Sequence, residues 1–154
     1  MRETLANLWE TPADLRLITT NGATRRDGAA IMGRGCALEA KKRVPGIEYR
    51  LGSLLLEYGN RPLRLCRHSC ADLASFPVKH HWREKADLDL IGTSARMAVG
   101  LADRFGYETI LLPRPGCGNG GLQWRDVERV LAEVLDDRFV VVDFPVATDP
   151  HDDV

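Results

Sequence analysis

Thr109-Ile-Leu-Leu-Pro-Arg-Pro-Gly-Cys-Gly-Asn-Gly-Gly-Leu-Gln-Trp124 is the stretch whose reading decides the fold. Four apolar or β-branched residues open it, a short run that suits a strand buried on both faces of a sheet. Pro113 ends the run, and a glycine-rich turn follows over Gly116–Gly121. Arg125–Leu135 then reads as a helix, with Val127, Val130, Leu131 and Val134 on one face. Phe139–Phe144 (Phe-Val-Val-Val-Asp-Phe) reads as another buried strand. Strand, turn, helix and strand in that order form the repeating unit of an α/β sheet that is at least partly parallel.

The same alternation extends toward the N-terminus. Asp14–Thr20 is rich in β-branched and aliphatic residues and is expected to be a strand. A short strand within Arg2–Leu8 is expected to precede it. Asn21–Ala30 carries two glycines and two arginines and is expected to be a loop. Met32–Val44 is built from good helix formers and stops at Pro45-Gly46. Ile47–Tyr58 predicts a second helix, closed by Gly59-Asn60. Leu63–His68 and Ala71–Pro77 are two short strands around a tight connection. Asp87–Phe105 predicts the clearest helix, since Leu88, Ile91, Ala95, Ala98, Leu101 and Ala102 recur at helical spacing and Gly106 fits its C-cap. One α/β domain is expected over residues 1–146, and residues 147–154 are expected to fray.

The chain has 154 residues and a net charge of -1, with 21 Lys plus Arg against 22 Asp plus Glu. That balance excludes a general sink for nucleic acid, which needs a clear basic excess, and leaves room only for a local basic patch. No apolar run reaches the ~20 residues of a membrane span, and the N-terminus lacks the apolar core of a signal peptide. A cytoplasmic, monomeric protein with no membrane partner is expected. The four cysteines, Cys36, Cys66, Cys70 and Cys117, form no CxxC pair and are expected as free thiols.

Two glycine turns carry the functional reading. Met32-Gly-Arg-Gly-Cys-Ala37 lies between a strand-plus-loop and a helix, and Pro115-Gly-Cys-Gly-Asn-Gly-Gly121 between a strand and a helix. Glycine lets backbone approach a ligand, and the free N–H groups of a first helical turn favour an anion. Either turn alone is more often only a tight connection. Two of them at the carboxyl edge of one small sheet could clamp a diphosphate from two sides. Gly116, Gly118 and Gly121 also satisfy G-x-G-x-x-G, with Asp143 about 20 residues on, as a dinucleotide fold asks. That fingerprint normally opens its domain, and here only one further strand remains.

Three segments identify a resemblance: Met32-Gly-Arg-Gly-Cys-Ala-Leu-Glu-Ala-Lys-Lys-Arg43, Phe76-Pro-Val-Lys-His-His-Trp-Arg83 and Pro113-Arg-Pro-Gly-Cys-Gly-Asn-Gly-Gly-Leu-Gln-Trp124. In their order and spacing the chain resembles the macrodomains, modules that bind ADP-ribose. More narrowly it resembles the branch containing the terminal ADP-ribose protein glycohydrolase and the macrodomain antitoxins that strip ADP-ribose from thymidine in DNA. The resemblance implies a three-layer α/β/α sandwich with a mixed central sheet. It implies ADP-ribose as ligand or product, ADP-ribosylated DNA or protein as substrate, and neither metal nor redox cofactor.

It also implies roles. Met32, Gly33, Arg34, Gly35 and Cys36 would line the diphosphate on one side. Gly116, Cys117, Gly118, Asn119 and Gly120, followed by Leu122, would line it on the other. Asn7 and Leu8 would lie toward the adenine, Asn7 standing where many macrodomains have an aspartate. Asn21 would lie near the distal ribose and orient it for catalysis. Lys79 falls on the lysine that the glycohydrolase branch uses for catalysis, proposed there to attack the anomeric carbon. Three departures accompany these roles: the insertion Thr24-Arg-Arg-Asp-Gly28, the amide at Asn7, and Gly120 in place of the protein glycohydrolase's aspartate.

The residues themselves leave alternatives open. Lys79 begins the basic aromatic run Lys79-His-His-Trp-Arg83-Glu-Lys85, which would read without the family as solvated surface. A lysine becomes a nucleophile only as the free amine. Trp82 could offer a face to a base, though half-buried packing is its plainer reading. Arg25 and Arg26 are plain loop charges or contacts to a modified macromolecule. Cys66, His68 and Cys70 alternate as if on one strand face. Their spacing is unusual for structural zinc, and small thiols are common core residues. Cys117 is read first as a small side chain in a tight loop, with the lowered thiol pKa of a helix N-terminus as the alternative, and Trp124 is expected to pack the turn on the sheet.

Overall fold

The computed structural model describes residues 1–143; Phe144 and the expected tail 147–154 lie outside them. The strands are β1 (Arg2–Leu5), β2 (Leu15–Asn21), β3 (Arg64–His68), β4 (Ala71–Lys79), β5 (Ile110–Leu112) and β6 (Phe139–Asp143). The helices are α1 (Gly35–Arg43), α2 (Ile47–Tyr58), α3 (Leu88–Phe105) and α4 (Trp124–Ala132). Each expected element is present, with boundary shifts. α1 starts at Gly35, which leaves Met32–Arg34 in the loop before it, and α4 ends at Ala132, short of Leu135.

The six strands form one sheet in the order β1-β6-β5-β2-β4-β3. All neighbours run parallel except β3, which pairs antiparallel with β4. The sheet is therefore mixed. The β3–β4 connection is tight enough that Ser69 and Cys70 both take left-handed backbone, with φ of 51° and 63°. Cys70 thus lies in the turn beyond β3.

Both faces of the sheet are covered, and the strand residues divide between them by alternation. Leu15, Leu17, Phe76, Ile110, Leu112, Phe139 and Val141 pack with Ile91, Ala95 and Ala98 of α3 and with Val127 and Leu131 of α4. Ile18, Leu73, Leu111 and Val142 point the other way, against Ala37 and Ala40 of α1 and Ile47, Leu51 and Leu55 of α2. This is the three-layer α/β/α sandwich, and it explains why β5 and β6 read as unbroken apolar runs. Asp87 caps α3 by accepting from the backbone N–H groups of Asp89 and Leu90 at 2.9 and 3.4 Å, and Gly106 closes it at φ 70°.

Parallel strands share a direction, so the segments leaving β2, β4, β5 and β6 emerge on one edge. Those segments contain the loop before α1, the run after Lys79, and the glycine turn after β5. The sheet therefore gathers all three stretches singled out in the sequence.

Candidate functional site: a two-part groove at the carboxyl edge of the sheet

Two clefts meet on that edge. The larger, of about 910 Å³, is lined by Asn21, Gly33, Arg34, Gly35, Cys36, Lys79, Gly116, Gly118, Asn119 and Gly120, among others. The smaller, of about 780 Å³, is lined by Asn7, Leu8, Cys36 and Cys117 with Trp9, Glu39 and Asp143. Cys36, Pro113, Arg114 and Gly118 line both, so the clefts form one groove with the two glycine loops at its waist. Met32 and Leu122 line neither cleft. Met32 is 2% exposed and packs in the core beneath α1 and α2, and Leu122 packs against Gly116 and the core beneath α3 and α4.

The loops approach closely: a Cβ on Gly35 would stand 3.5 Å from Asn119 Nδ2. Arg34 precedes α1 with no side-chain cap, so the first N–H groups of the helix have no side-chain acceptor there. The second loop is held from behind. Leu122 N donates to Gly116 O at 2.9 Å, and Ala86 N donates to Gly120 O at 3.0 Å. Leu122 and Gln123 separate this loop from α4. Cys117 is therefore not at a helix N-terminus, and burial pushes its thiol up rather than down, against a smaller opposing effect of Arg114. Cys36 is pushed up to about 12, first by burial and then by the charge of Glu39.

Asn21 and Lys79 are register partners on β2 and β4, at a β-bulge that follows Thr20. The two residues singled out for catalysis thus end adjacent parallel strands in the larger cleft. Lys79 Nζ donates to Asn119 O at 3.3 Å and lies 3.5 Å from Trp82 O, bridging its own segment to the second glycine loop. Asn21 has work within the protein as well. Its Nδ2 donates to Ile31 O at 3.0 Å, and its Oδ1 accepts from Ala23 N at 2.9 Å, so it ties both ends of the 22–31 segment to β2.

Asn7 Oδ1 accepts from Trp9 N at 2.8 Å, which shapes its own turn and leaves the amide N–H groups toward the smaller cleft's lining. Beneath that turn the buried Arg16 donates to Leu8 O at 2.8 Å and Thr11 O at 2.7 Å. Arg16, Asn60 and Arg114 were missed by sequence reading. Asn60 Nδ2 donates to Lys79 O at 3.0 Å, fixing the backbone at the end of β4. Arg114 stacks 5.0 Å from the Trp124 ring and lies 3.6 Å from Asp143. Nothing local in the sequence marks any of the three; Asn60 reaches a partner 19 residues away, and Arg16 bonds backbone carbonyls five and eight residues back that only the folded turn presents to it.

A Cβ at Gly120 would strike the Gly116 carbonyl oxygen and come within 2.7 Å of Gly116 Cα and 2.8 Å of Ala86 Cβ. An aspartate at this position would require the backbone of the loop to shift. All four cysteines are free, and the described residues hold no cluster of three or more His, Cys, Asp or Glu side chains able to bind a metal. No helix among them is long and apolar enough to cross a membrane.

The fold is a three-layer sandwich with a groove between two glycine loops at the carboxyl edge of its sheet. No family model matches the chain. A DNA ADP-ribosyl glycohydrolase of Thermus aquaticus is 26% identical over 147 residues, 88% of this chain and 38% of that protein. Another, from Mycobacterium tuberculosis, is 29% identical over 116 residues, 68% of this chain and 32% of that protein. The chain therefore spans only about a third of the length of these relatives. The macrodomain of Thermus aquaticus DarG superposes with a TM-score of 0.76 at 27% identity, covering 94% of this chain and 97% of that one. Thermosipho africanus DarTG in complex with ADP-ribose gives 0.80 at 20% identity, covering 96% and 43%, a likeness of fold. In fold, and at 26–27% identity in sequence, the chain is similar to the macrodomain of that Thermus aquaticus protein.

Proposed function

We propose that the chain is a mono-ADP-ribosyl hydrolase that releases single ADP-ribose units from thymidine in DNA, from acidic protein side chains, or from both. The observation that carries this reading is the pairing of Asn21 with Lys79 at the end of a groove whose waist is built from two glycine loops. The names of the curated relatives, DNA ADP-ribosyl glycohydrolase, support hydrolysis and favour DNA. The closed space at Gly120 supports a mechanism without an aspartate there.

In this reading adenine lies toward Asn7 and Leu8, the diphosphate lies between the loops, and the distal ribose reaches Asn21 and Lys79. Binding energy from the remote ADP moiety holds the glycosidic bond in place. The free amine of Lys79 attacks the anomeric carbon. The bond from that carbon to the thymine nitrogen or the carboxylate oxygen breaks, and its electron pair leaves with the departing group, which takes up a proton. Water then displaces the lysine, and free ADP-ribose departs.

A second reading is a module that binds ADP-ribose and catalyses nothing. The bridge from Lys79 Nζ to Asn119 O favours it, because it gives the amine a structural duty. A release assay separates the two, run on an oligonucleotide with ADP-ribosyl-thymidine and on a glutamate-modified protein. Release is expected from the oligonucleotide, with Lys79→Ala slowing single turnover on the order of 100-fold. No release from either, with ADP-ribose still bound in calorimetry, leaves only the binding module. A wild-type rate in Lys79→Ala removes the lysine from the chemistry and leaves an ordered water as nucleophile.

A further inference from the structure

Residues 22–31 form a built hairpin, which gives the insertion Thr24–Gly28 a defined place. Thr24 and Ala30 pair as an antiparallel bridge. Arg25 N donates to Ala29 O at 2.8 Å, and Gly28 N donates to Arg25 O at 3.0 Å, with Gly28 at φ 87°. The hairpin is seated on α2. Ala30 N donates to Glu48 O at 2.8 Å, and Tyr49 OH donates to Asp27 Oδ2 at 3.2 Å. Gly52 makes the seat: a Cβ there would strike the Gly28 carbonyl oxygen and come within 3.0 Å of Ala30 N. Asp27 also accepts from Ala29 N at 3.1 Å and from Arg25 Nη2 at 3.2 Å, which orients the guanidinium. At the hairpin's base, a Cβ on Gly22 would come within 2.8 Å of Asn60 Nδ2 and 3.0 Å of His80 O, so the hairpin and the run after Lys79 meet there.

This construction delivers Arg25 to the wall of the larger cleft. The lining of that cleft holds Arg25, Arg34, Lys79, Arg83, Lys85 and Arg114 against one carboxylate, Glu84, in a chain whose net charge is -1. The basic charge is thus concentrated where the substrate enters. Trp82 lines the same cleft, is 42% exposed, and has the Arg83 guanidinium 4.7 Å from its ring centre. Cations beside an exposed flat ring match a polymer of phosphates and bases better than an acidic protein surface, which asks for charge alone.

Resting on the hydrolase reading above, we infer that the 22–31 hairpin is a specificity wall whose Arg25 contacts a backbone phosphate of the DNA strand flanking the modified thymidine. The test compares wild type with Arg25→Gln on ADP-ribosyl-thymidine in a single-stranded oligonucleotide, on the same modified nucleoside without flanking phosphates, and on a glutamate-modified peptide. The expected result is a drop of about two- to fivefold in the kcat/KM ratio of oligonucleotide to nucleoside, the scale of one exposed ionic contact. In parallel, fluorescence anisotropy on an unmodified oligonucleotide should show the salt-dependence slope of Arg25→Gln reduced by about 0.7. Asp27→Asn, which frees Arg25 from its partner, should move both quantities in the same direction by less.

An unchanged ratio and slope overturn the inference, and so does an equal loss on the glutamate-modified peptide, which would assign the wall to protein. If wild type releases nothing from any substrate, the hydrolase reading fails. The anisotropy slope still decides whether Arg25 holds a phosphate.

Discussion

The two glycine loops look alike in sequence and are built differently. At Gly33 a Cβ would meet nothing within 4 Å, so the first loop is open there. In the second loop Gly116 has φ 75°, and its Cβ would come within 2.9 Å of Ala86 Cβ and 3.0 Å of Ile91 Cδ1. Gly120 is closed by the Gly116 backbone, and only Gly118 faces open space as Gly33 does. A glycine between strand and helix therefore has two meanings. In the first loop it leaves open space at the wall of the larger cleft. In the second it lets the loop fold onto α3 and onto itself, and so fixes where the neighbouring backbone N–H groups stand.

The largest test of that contrast is Gly120→Asp. The new side chain has to displace backbone, and a loss of about 3 kcal/mol in urea unfolding is expected together with loss of ADP-ribose binding in calorimetry. Wild-type stability in this variant would make the two loops equivalent. Gly116→Ala should cost about 1–3 kcal/mol, since it combines crowding with a left-handed backbone. Gly33→Val is the counterpart. Its unfolding free energy should stay within about 0.5 kcal/mol of wild type, as at an open surface site. Its affinity for ADP-ribose should fall about tenfold, or 1.4 kcal/mol, because the methyl groups occupy ligand space.

The thiol beside the first loop sharpens the comparison with smaller effects. Cys36 is pushed up to about 12 from an ordinary 9.0. The unfolded chain releases that proton at lower pH than the folded chain does. The contribution of Cys36 to stability is therefore complete below about pH 9 and is lost as pH rises toward about 12. Unfolding followed from pH 8 to 11 should show this decline in wild type and a flatter curve in Cys36→Ala, with no such difference at neutrality. Alkylation at pH 8 should label the exposed Cys70 before Cys36, because reactivity follows exposure and thiolate fraction.

Much of the architecture was legible because it rests on local rules. The apolar runs at Ile110–Leu112 and Phe139–Asp143 can be satisfied only by a sheet covered on both sides, and that is where they lie. Asp87 and Gly106 mark the ends of α3 through chemistry confined to one helical turn. The resemblance pointed to Asn21 and Lys79 separately; only the β2–β4 register sets these residues, 58 positions apart, side by side. Its implied places for Met32 and Leu122 differ from what the groove shows, since both side chains turn into the core. Cys117 lies within the loop itself, with residues 118–123 between it and α4, so the alternative of a thiol lowered by a helix N-terminus does not apply.

By itself the sequence determined the order and type of the elements, the two-sided burial of the sheet, and the presence of two glycine turns on its carboxyl edge. Periodicity, caps and breakers act over a few residues and are written in adjacent letters. Tertiary structure alone decided which glycines face open space, that Asn60 holds the Lys79 carbonyl, and that the 22–31 hairpin sits on Gly52. Those outcomes depend on contacts between segments far apart in the chain, where the available space and the free hydrogen-bonding groups are set by the packed fold.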